Sequence, residues 1–144
     1  MKYIHYGHEN FDKSKFESIK NKEEWIKPDG GLWACREDSD NSWKEWCEDL
    51  EWEDKLKKYF TFTLKENANI LIIDSSSQLE TLPKAKSEFL SRVYTMLDFE
   101  ELAKQYDAIE ILISKDIKLH YQLYGWDCDS ILVMNPDVIE EINM

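Results

Sequence analysis

The sequence has few of the residues that interrupt regular structure, with four glycines and three prolines among its 144 residues. This scarcity excludes long flexible linkers and low-complexity tracts. Hydrophobic residues make up 42% of the chain and aromatic residues 13%, a content that disordered chains lack. We therefore predict a packed core in a single domain over residues 1–144, because this length is typical of one domain.

Basic residues are also scarce, since 18 lysines and arginines face 30 acidic residues and the net charge is −12. Arg36 and Arg92 are the only arginines. A groove that follows a phosphate backbone needs clustered lysines and arginines, so tight binding of duplex nucleic acid is not expected. The charge is compatible with a basic protein partner and equally with plain solubility.

Long apolar runs are missing as well. The opening stretch "MKYIHYGHENFDK" has no apolar core, and no run approaches the ~20 apolar residues of a membrane span. We predict a cytoplasmic protein with no membrane partner. Three cysteines, Cys35, Cys47 and Cys128, are odd in number and widely spaced, which favours reduced thiols over a disulfide framework.

The common catalytic and metal-binding motifs are absent from the chain. There is no Cys-x₂-Cys or His-x₃-His pair, so no metal site is expected. There is also no G-x-S-x-G elbow, phosphate loop or G-x-G-x-x-G sequence. Cys128 lies between Asp127 and Asp129, and two negative neighbours disfavour the thiolate that a nucleophilic cysteine requires.

Hydrophobic alternation and short apolar runs predict six β-strands. They cover residues 2–6, 30–35, 59–64, 68–74, 107–114 and 130–134. The last strand is an uncharged run, which predicts burial on both faces.

Helical spacing predicts helices over residues 41–50, 98–106 and 135–142, and a short one over Phe11–Ile19. Candidate N-caps are Asn41 or Ser42, Asp98 and Asn135. The order of helices and strands does not alternate regularly, so we predict an α+β fold with a largely antiparallel or split sheet.

Three segments place unusual residues at strand ends: "HYGH" from His5, "KPDGGLWAC" from Lys27, and "YGWDCDSILVM" from Tyr124. Each also has a purely structural explanation. The glycines can form a tight turn, and the aspartates can accept hydrogen bonds from nearby backbone N–H groups. Because side chains alternate between the two faces of a strand, His5 and Gly7 are expected on one face of the first strand, with Tyr6 and His8 on the other.

In order, these segments resemble the ADP-ribosyltransferase fold, on the side of the superfamily that includes diphtheria toxin and poly(ADP-ribose) polymerases. In that family a His-Gly pair ends the first strand, a Gly-Ile-Tyr-Phe-Ala strand follows, and a glutamate leads a late strand. The corresponding stretches here are "YGHENFDKSKFESI", "GLWA" and "DSILVMNPDVI". The chain is also similar to uncharacterised bacterial proteins that share "YGH", "KP-x-GGLW" and "YGWDCDSI". The resemblance implies a split, mostly antiparallel sheet with short flanking helices.

The resemblance further implies that NAD is bound as a substrate, without a metal. Asp129 takes the place of the catalytic glutamate, and Trp33 takes the place of the aromatic residue that stacks on nicotinamide. The implied NAD-binding residues are Tyr6, Gly7, His8, Gly31, Trp33 and Ser42.

The sequence departs from the family pattern at each of its three short motifs. Tyr6 occupies the family's histidine position, while His5 and His8 lie to either side. Trp33 replaces a tyrosine and lacks its hydroxyl. Asp129 is shorter than glutamate by one carbon–carbon bond, ~1.5 Å, and a displacement of ~1 Å can cost ~10²-fold in rate. Asp127 is therefore an alternative acid.

The resemblance implies an NAD-dependent ADP-ribosyltransferase-like protein, of a bacterial or phage toxin or modifier type, that acts on a protein or nucleotide acceptor. The alternative is a non-catalytic acidic module that binds a basic partner. An RNA 2′-phosphotransferase shares the fold, but its reaction needs basic residues around the RNA phosphate, and with Arg36 and Arg92 as the only arginines it is the weakest of the three hypotheses.

Overall fold

A mixed, mostly antiparallel sheet organises the protein. The computed structural model describes residues 1–88 and 90–142; Phe89, Asn143 and Met144 of the predicted single domain lie outside the described residues. The strands are β1 (Tyr3–Tyr6), β2 (Leu32–Arg36), β3 (Tyr59–Leu64), β4 (Ile70–Ile73), β5 (Ala108–Ile111), β6 (Ser130–Val133) and β7 (Ile139–Glu141). Their order across the sheet is β4-β5-β6-β2-β1-β3-β7. Only the β4–β5 pair of this described sheet is parallel. The α+β prediction is confirmed.

Helices are few and short. They are α1 (Trp43–Asp49), α2 (Phe99–Gln105) and α3 (Ile117–Gln122), with 3₁₀ turns at Lys13–Lys15, Glu53–Leu56, Ser76–Thr81, Leu90–Arg92, Ile113–Lys115 and Pro136–Val138. The predicted N-cap Asp98 accepts a hydrogen bond from the Glu101 N–H at 3.1 Å. In the part of the chain that the structure describes, no helix is long and apolar enough to cross a membrane.

Two helix predictions are wrong. Residues Phe11–Ile19 form only the 3₁₀ turn Lys13–Lys15, because Phe11 and Phe16 both pack into the cluster beneath β1 and β3. Within residues 135–142, Pro136–Val138 form a single 3₁₀ turn, and the residues that follow it form β7. This strand pairs with the edge of β3 from Leu64↔Ile139 to Phe62↔Glu141. Pairing with a sheet edge outweighs the local helix signals there.

The sheet is buried on both faces at its centre. One face packs against α2, α3 and the loops, through a cluster that includes Ile109, Leu132, Leu102, Leu119 and Trp126. The other face forms a second cluster that includes Tyr3, Phe60, Phe62, Ile131 and Val133. All four residues of β6 are buried, so the predicted two-sided burial is confirmed.

An ion pair lies within the second face. The registers Ala34↔Ile131 and Glu110↔Ile131 place β2, β6 and β5 side by side. From the end of β2, Arg36 donates Nε–H and an Nη2–H to the two carboxylate oxygens of Glu110, at 2.9 and 2.6 Å. Glu110 is only 1% exposed, so this bidentate pair holds a carboxylate inside the core.

Candidate functional site

A cavity opens where β1 and β2 part. The two strands pair only through Tyr3↔Arg36 and Ile4↔Cys35. Beyond that point β1 continues alongside β3 to Tyr6↔Tyr59, whereas β2 continues alongside β6. The opening between them has a volume of about 300 Å³. Its lining includes His5, Tyr6, Lys27, Trp33, Cys35, Trp43, Cys128 and Ser130.

Trp33 forms an aromatic wall of this cavity. Its ring meets the fully buried Trp126 edge-on, with the ring centroids 4.9 Å apart. Trp126 in turn stacks on Phe99 of α2, at 6.0 Å. The Lys27 ammonium lies 5.2 Å from the Trp33 centroid, within cation–π range. Trp33 is therefore fixed from behind, and its orientation does not depend on a ligand.

His5 bridges the two diverging strands. Its Nδ1 lies 2.6 Å from the Trp33 carbonyl oxygen. A carbonyl can only accept, so Nδ1 carries the proton and Nε2 is the acceptor in the neutral ring. Nε2 lies 3.0 Å from Nδ1 of His8, which therefore donates. Burial, with a smaller contribution from the nearby His8, lowers the pKa of His5, although the bond to the Trp33 carbonyl opposes this.

This lowered pKa predicts a pH-dependent contribution of His5 to stability. The unfolded imidazole has a pKa of about 6.5, and below it the unfolded chain takes up a proton that the folded chain does not. The folded-state preference for neutral His5 is therefore fully present above that pH and is lost as the pH falls below it. We expect the stability advantage of wild type over His5→Gln to shrink between about pH 7.5 and about pH 5.5.

Urea unfolding of both proteins across this pH range measures the difference. His120→Gln, which removes an exposed imidazole from α3, controls for the loss of a titratable ring. A wild-type advantage that grows on acidification would contradict the prediction.

Asp129 lies at the mouth of β6 as predicted, but its carboxylate is occupied by the protein itself. One oxygen accepts from the Ser114 N–H at 2.8 Å and from Asn41 Nδ2 at 3.4 Å, and the other accepts from Ser114 Oγ at 2.5 Å. Its own N–H donates to the Asn41 carbonyl at 2.8 Å. Asp129 is 8% exposed and joins three loops beside the cavity. In β6 the residue that lines the cavity is Ser130.

Asp127 lies in an adjoining groove. This groove has a volume of about 580 Å³, and Asp127 is half-buried at its edge. Trp25 and Tyr124 line the groove as exposed aromatic side chains. Lys27 and Trp33 line both the groove and the cavity. The cavity and the groove therefore meet at Lys27 and Trp33. Of the two candidate aspartates, Asp127 lines the groove, whereas Asp129 lines neither space.

The other predicted site residues are dispersed. Tyr6 lines the cavity. Gly7, His8 and Gly31 line a different depression, of about 440 Å³, in front of Phe60. Ser42 is buried as the N-cap of α1, where its N–H donates to the Glu45 carboxylate at 3.0 Å. A Cβ on Gly31 would lie 2.5 Å from Leu132 Cδ1, so its close approach is to the core.

Several lining residues were not among those predicted: Lys27, Cys35, Trp43, Cys128 and Ser130. Alternation along β2 could have found Cys35, because it follows Trp33 by two residues and shares its face. Lys27 and Trp43 come from segments outside the sheet, and no local pattern indicates that they approach it.

Comparisons of this chain with protein family models, with curated proteins and with solved structures found no match. Within residues 1–88 and 90–142, no three His, Cys, Asp or Glu side chains are grouped to hold a metal ion. The site consists of an aromatic cavity with a lysine, a bridging histidine and two thiols, next to a groove with one carboxylate.

Proposed function

We propose that the protein binds NAD where β1 and β2 part and transfers ADP-ribose to a macromolecular acceptor, in an ADP-ribosyltransferase-like fold. The observation that carries the proposal is the cavity between these strands, with Tyr6 on one wall and Trp33 on the other. These two positions are the ones that the resemblance assigns to the first two motifs of the NAD site.

The sizes of the cavity and the groove favour a ligand that places one part in each of them. A volume of about 300 Å³ is at the small end for ligand pockets and suits a single aromatic ring such as nicotinamide. Stacking of the cationic ring on Trp33 would contribute about 1–2 kcal/mol when water is excluded. The rest of NAD would then extend into the groove, past the Lys27 ammonium, which suits a pyrophosphate.

Asp127 is a better candidate than Asp129 for the catalytic carboxylate. Both oxygens of Asp129 already accept hydrogen bonds within the protein. In the proposed transfer, the nicotinamide–ribose bond breaks and nicotinamide leaves with the bonding electron pair. An oxygen or nitrogen of the acceptor bonds to the ribose carbon, and its proton passes to Asp127. A carboxylate near the ribose also stabilises the developing positive charge.

Binding predicts a thermal shift that depends on Trp33. NAD at about 100 times its dissociation constant stabilises a one-site protein by about 2.7 kcal/mol. We expect a shift of several degrees for wild type and a much smaller one for Trp33→Ala. Differential scanning fluorimetry with NAD and with nicotinamide alone measures both. Trp52→Ala is the matched control, because it removes an exposed tryptophan from outside the cavity.

Turnover separates binding from catalysis. Asp127→Asn should keep the NAD-induced shift but lose nicotinamide release. If NAD and nicotinamide shift neither wild type nor Trp52→Ala, the NAD proposal is wrong. If Asp127→Asn releases nicotinamide at the wild-type rate, the assignment of the acid is wrong while NAD binding stands.

One observation favours the second candidate, a module that binds a basic protein. Residues 37–54 hold nine of the acidic residues: Glu37, Asp38, Asp40, Glu45, Glu48, Asp49, Glu51, Glu53 and Asp54. Lys44 is the single basic residue of that segment. Leu50 and Trp52 are exposed among these charges. This candidate predicts no NAD shift, and binding of a polycationic peptide that weakens steeply with salt.

A further inference from the structure

Two free thiols share one wall of the cavity. Cys35 lies in β2, and Cys128 lies two residues before β6. The register Ala34↔Ile131 brings this end of β2 next to the start of β6. Cys35 is 3% exposed and Cys128 7%, and both line the cavity between β1 and β2. Both side chains therefore lie on the same space, at adjacent ends of β2 and β6.

The two sulfurs differ in their surroundings. Cys35 Sγ also accepts a hydrogen bond from the Trp43 N–H, at 3.3 Å. Donation from Cys128 and then from Trp43 lowers the pKa of Cys35, although burial and the charges of Glu45 and Asp129 oppose this. The same hydrogen bond, followed by burial, raises the pKa of Cys128. One sulfur therefore favours the thiolate while its neighbour keeps a proton, the division that thiol–disulfide chemistry uses.

We propose that Cys35 and Cys128 form a redox-active pair that closes to an intramolecular disulfide when a peroxide enters the cavity. The Cys35 thiolate attacks hydrogen peroxide and breaks the O–O bond, which gives a sulfenic acid and hydroxide; the hydroxide takes up the proton that the Cys35 thiol had released and leaves as water. The Cys128 sulfur then attacks the Cys35 sulfur, its proton leaves with the hydroxyl as a second water, and the S–S bond forms. Two thiols are oxidised and one peroxide is reduced to two waters.

The position of the pair gives the disulfide a local consequence. The bond would join β2 to the 127–129 loop across the cavity wall, next to Trp33. A disulfide requires the two sulfurs to lie about 2.05 Å apart, so its formation draws the Cys128 segment and β2 together. This pair is independent of the NAD proposal, because its chemistry needs only the thiols and a peroxide.

Trypsin separates the three cysteines. Cleavage after lysine and arginine, except before Pro28, leaves Cys35 in residues 23–36, Cys47 in residues 45–55 and Cys128 in residues 119–144. After treatment of the folded protein with hydrogen peroxide and alkylation of the remaining thiols, we expect peptide 23–36 linked to peptide 119–144. Intact protein should lose about 2 Da before alkylation, because each thiol gives up one hydrogen. Thiols titratable after unfolding should fall from three to one.

Serine variants test the pairing. Cys35→Ser and Cys128→Ser should each abolish the linked peptides, while Cys47→Ser should leave them unchanged. Cys47 is a suitable control because it is a buried thiol whose pKa is raised by burial and it does not line the cavity. A linkage that involves Cys47, or oxidation of Cys35 that stops at an unpaired sulfenic or sulfinic acid in wild type, would overturn the proposal. Persistence of three free thiols at peroxide concentrations that oxidise an unfolded control would overturn it as well.

Discussion

Replacing Arg36 by leucine is expected to destabilise the fold by about 3 kcal/mol or more, one of the largest losses for any single side chain. The cost arises at Glu110, which is 1% exposed and receives both of its close hydrogen bonds from Arg36. Without the guanidinium, the carboxylate stays in the core unpaired, or it must take up a proton. Either outcome is unfavourable because water cannot reach the group to replace the lost bonds.

Urea or guanidinium unfolding of Arg36→Leu measures this loss. The double variant Arg36→Leu/Glu110→Leu should recover much of it, because removing both charges also removes the desolvation cost. Asp137→Asn is the exposed control. Its pair with Lys13 lies on the surface with both side chains about two-thirds exposed, and such pairs contribute about 0–1 kcal/mol. A loss below about 0.5 kcal/mol for Arg36→Leu would contradict the account of a buried pair.

Burial of this ion pair could not be predicted from the sequence. Glu110 interrupts an apolar strand in "DAIEILIS", and a single acid there fits an outward position on a half-exposed strand. Its partner is 74 residues away along the chain, so no local spacing connects them. The strands themselves were predictable, because β-branched and aromatic residues are concentrated in them. Which strands become neighbours was not, since that order depends on long-range pairing.

The acids of "YGWDCDSILVM" illustrate a similar limit. A carboxylate at the start of a buried strand was expected to serve either a ligand or the local backbone. Asp129 does accept from a backbone N–H, that of Ser114, and it also accepts from the Asn41 side chain. These partners are 15 and 88 residues away, so local spacing could not identify them. The strand begins at Ser130, and Asp127 lies in the loop before it. The alternation of side chains along β6 therefore does not extend to Asp127.

The cavity was predictable only in part. Tyr6 and Trp33 were named because the family resemblance implied them, and both line the cavity. Loops and a helix start supply Lys27, Trp43 and Cys128, and their positions follow from packing over the sheet. The glycines before Trp33 were explained as a tight turn, and the structure shows which segment packs closely against that turn. It is the segment of residues 17–20, which bonds to residues 29–31 through Lys20, Asp29 and Gly31.

Gly30→Ala is expected to destabilise the protein by roughly 3 kcal/mol, far more than the same change at Gly125. Both glycines have positive φ, +85° at Gly30 and +88° at Gly125, where a side chain costs about 1–2 kcal/mol. They differ in their surroundings. A Cβ at Gly30 would overlap the Ser18 carbonyl and lie 2.8 Å from the Glu17 carbonyl oxygen, whereas a Cβ at Gly125 meets nothing within 4 Å. Overpacking against backbone atoms adds about 1–3 kcal/mol.

Chemical unfolding of the two alanine variants separates these contributions. The loss at Gly125 measures the backbone conformation alone, and the excess at Gly30 measures the overlap with residues 17–18. Since Gly30 and the β2 residue Trp33 are three positions apart, Gly30→Ala should also disturb the cavity wall, which the near-ultraviolet circular dichroism of the tryptophans would report. Equal losses at the two positions would mean that the 17–20 segment moves aside at little cost. Its pairing with residues 29–31 would then not be what holds the entry to β2 in place.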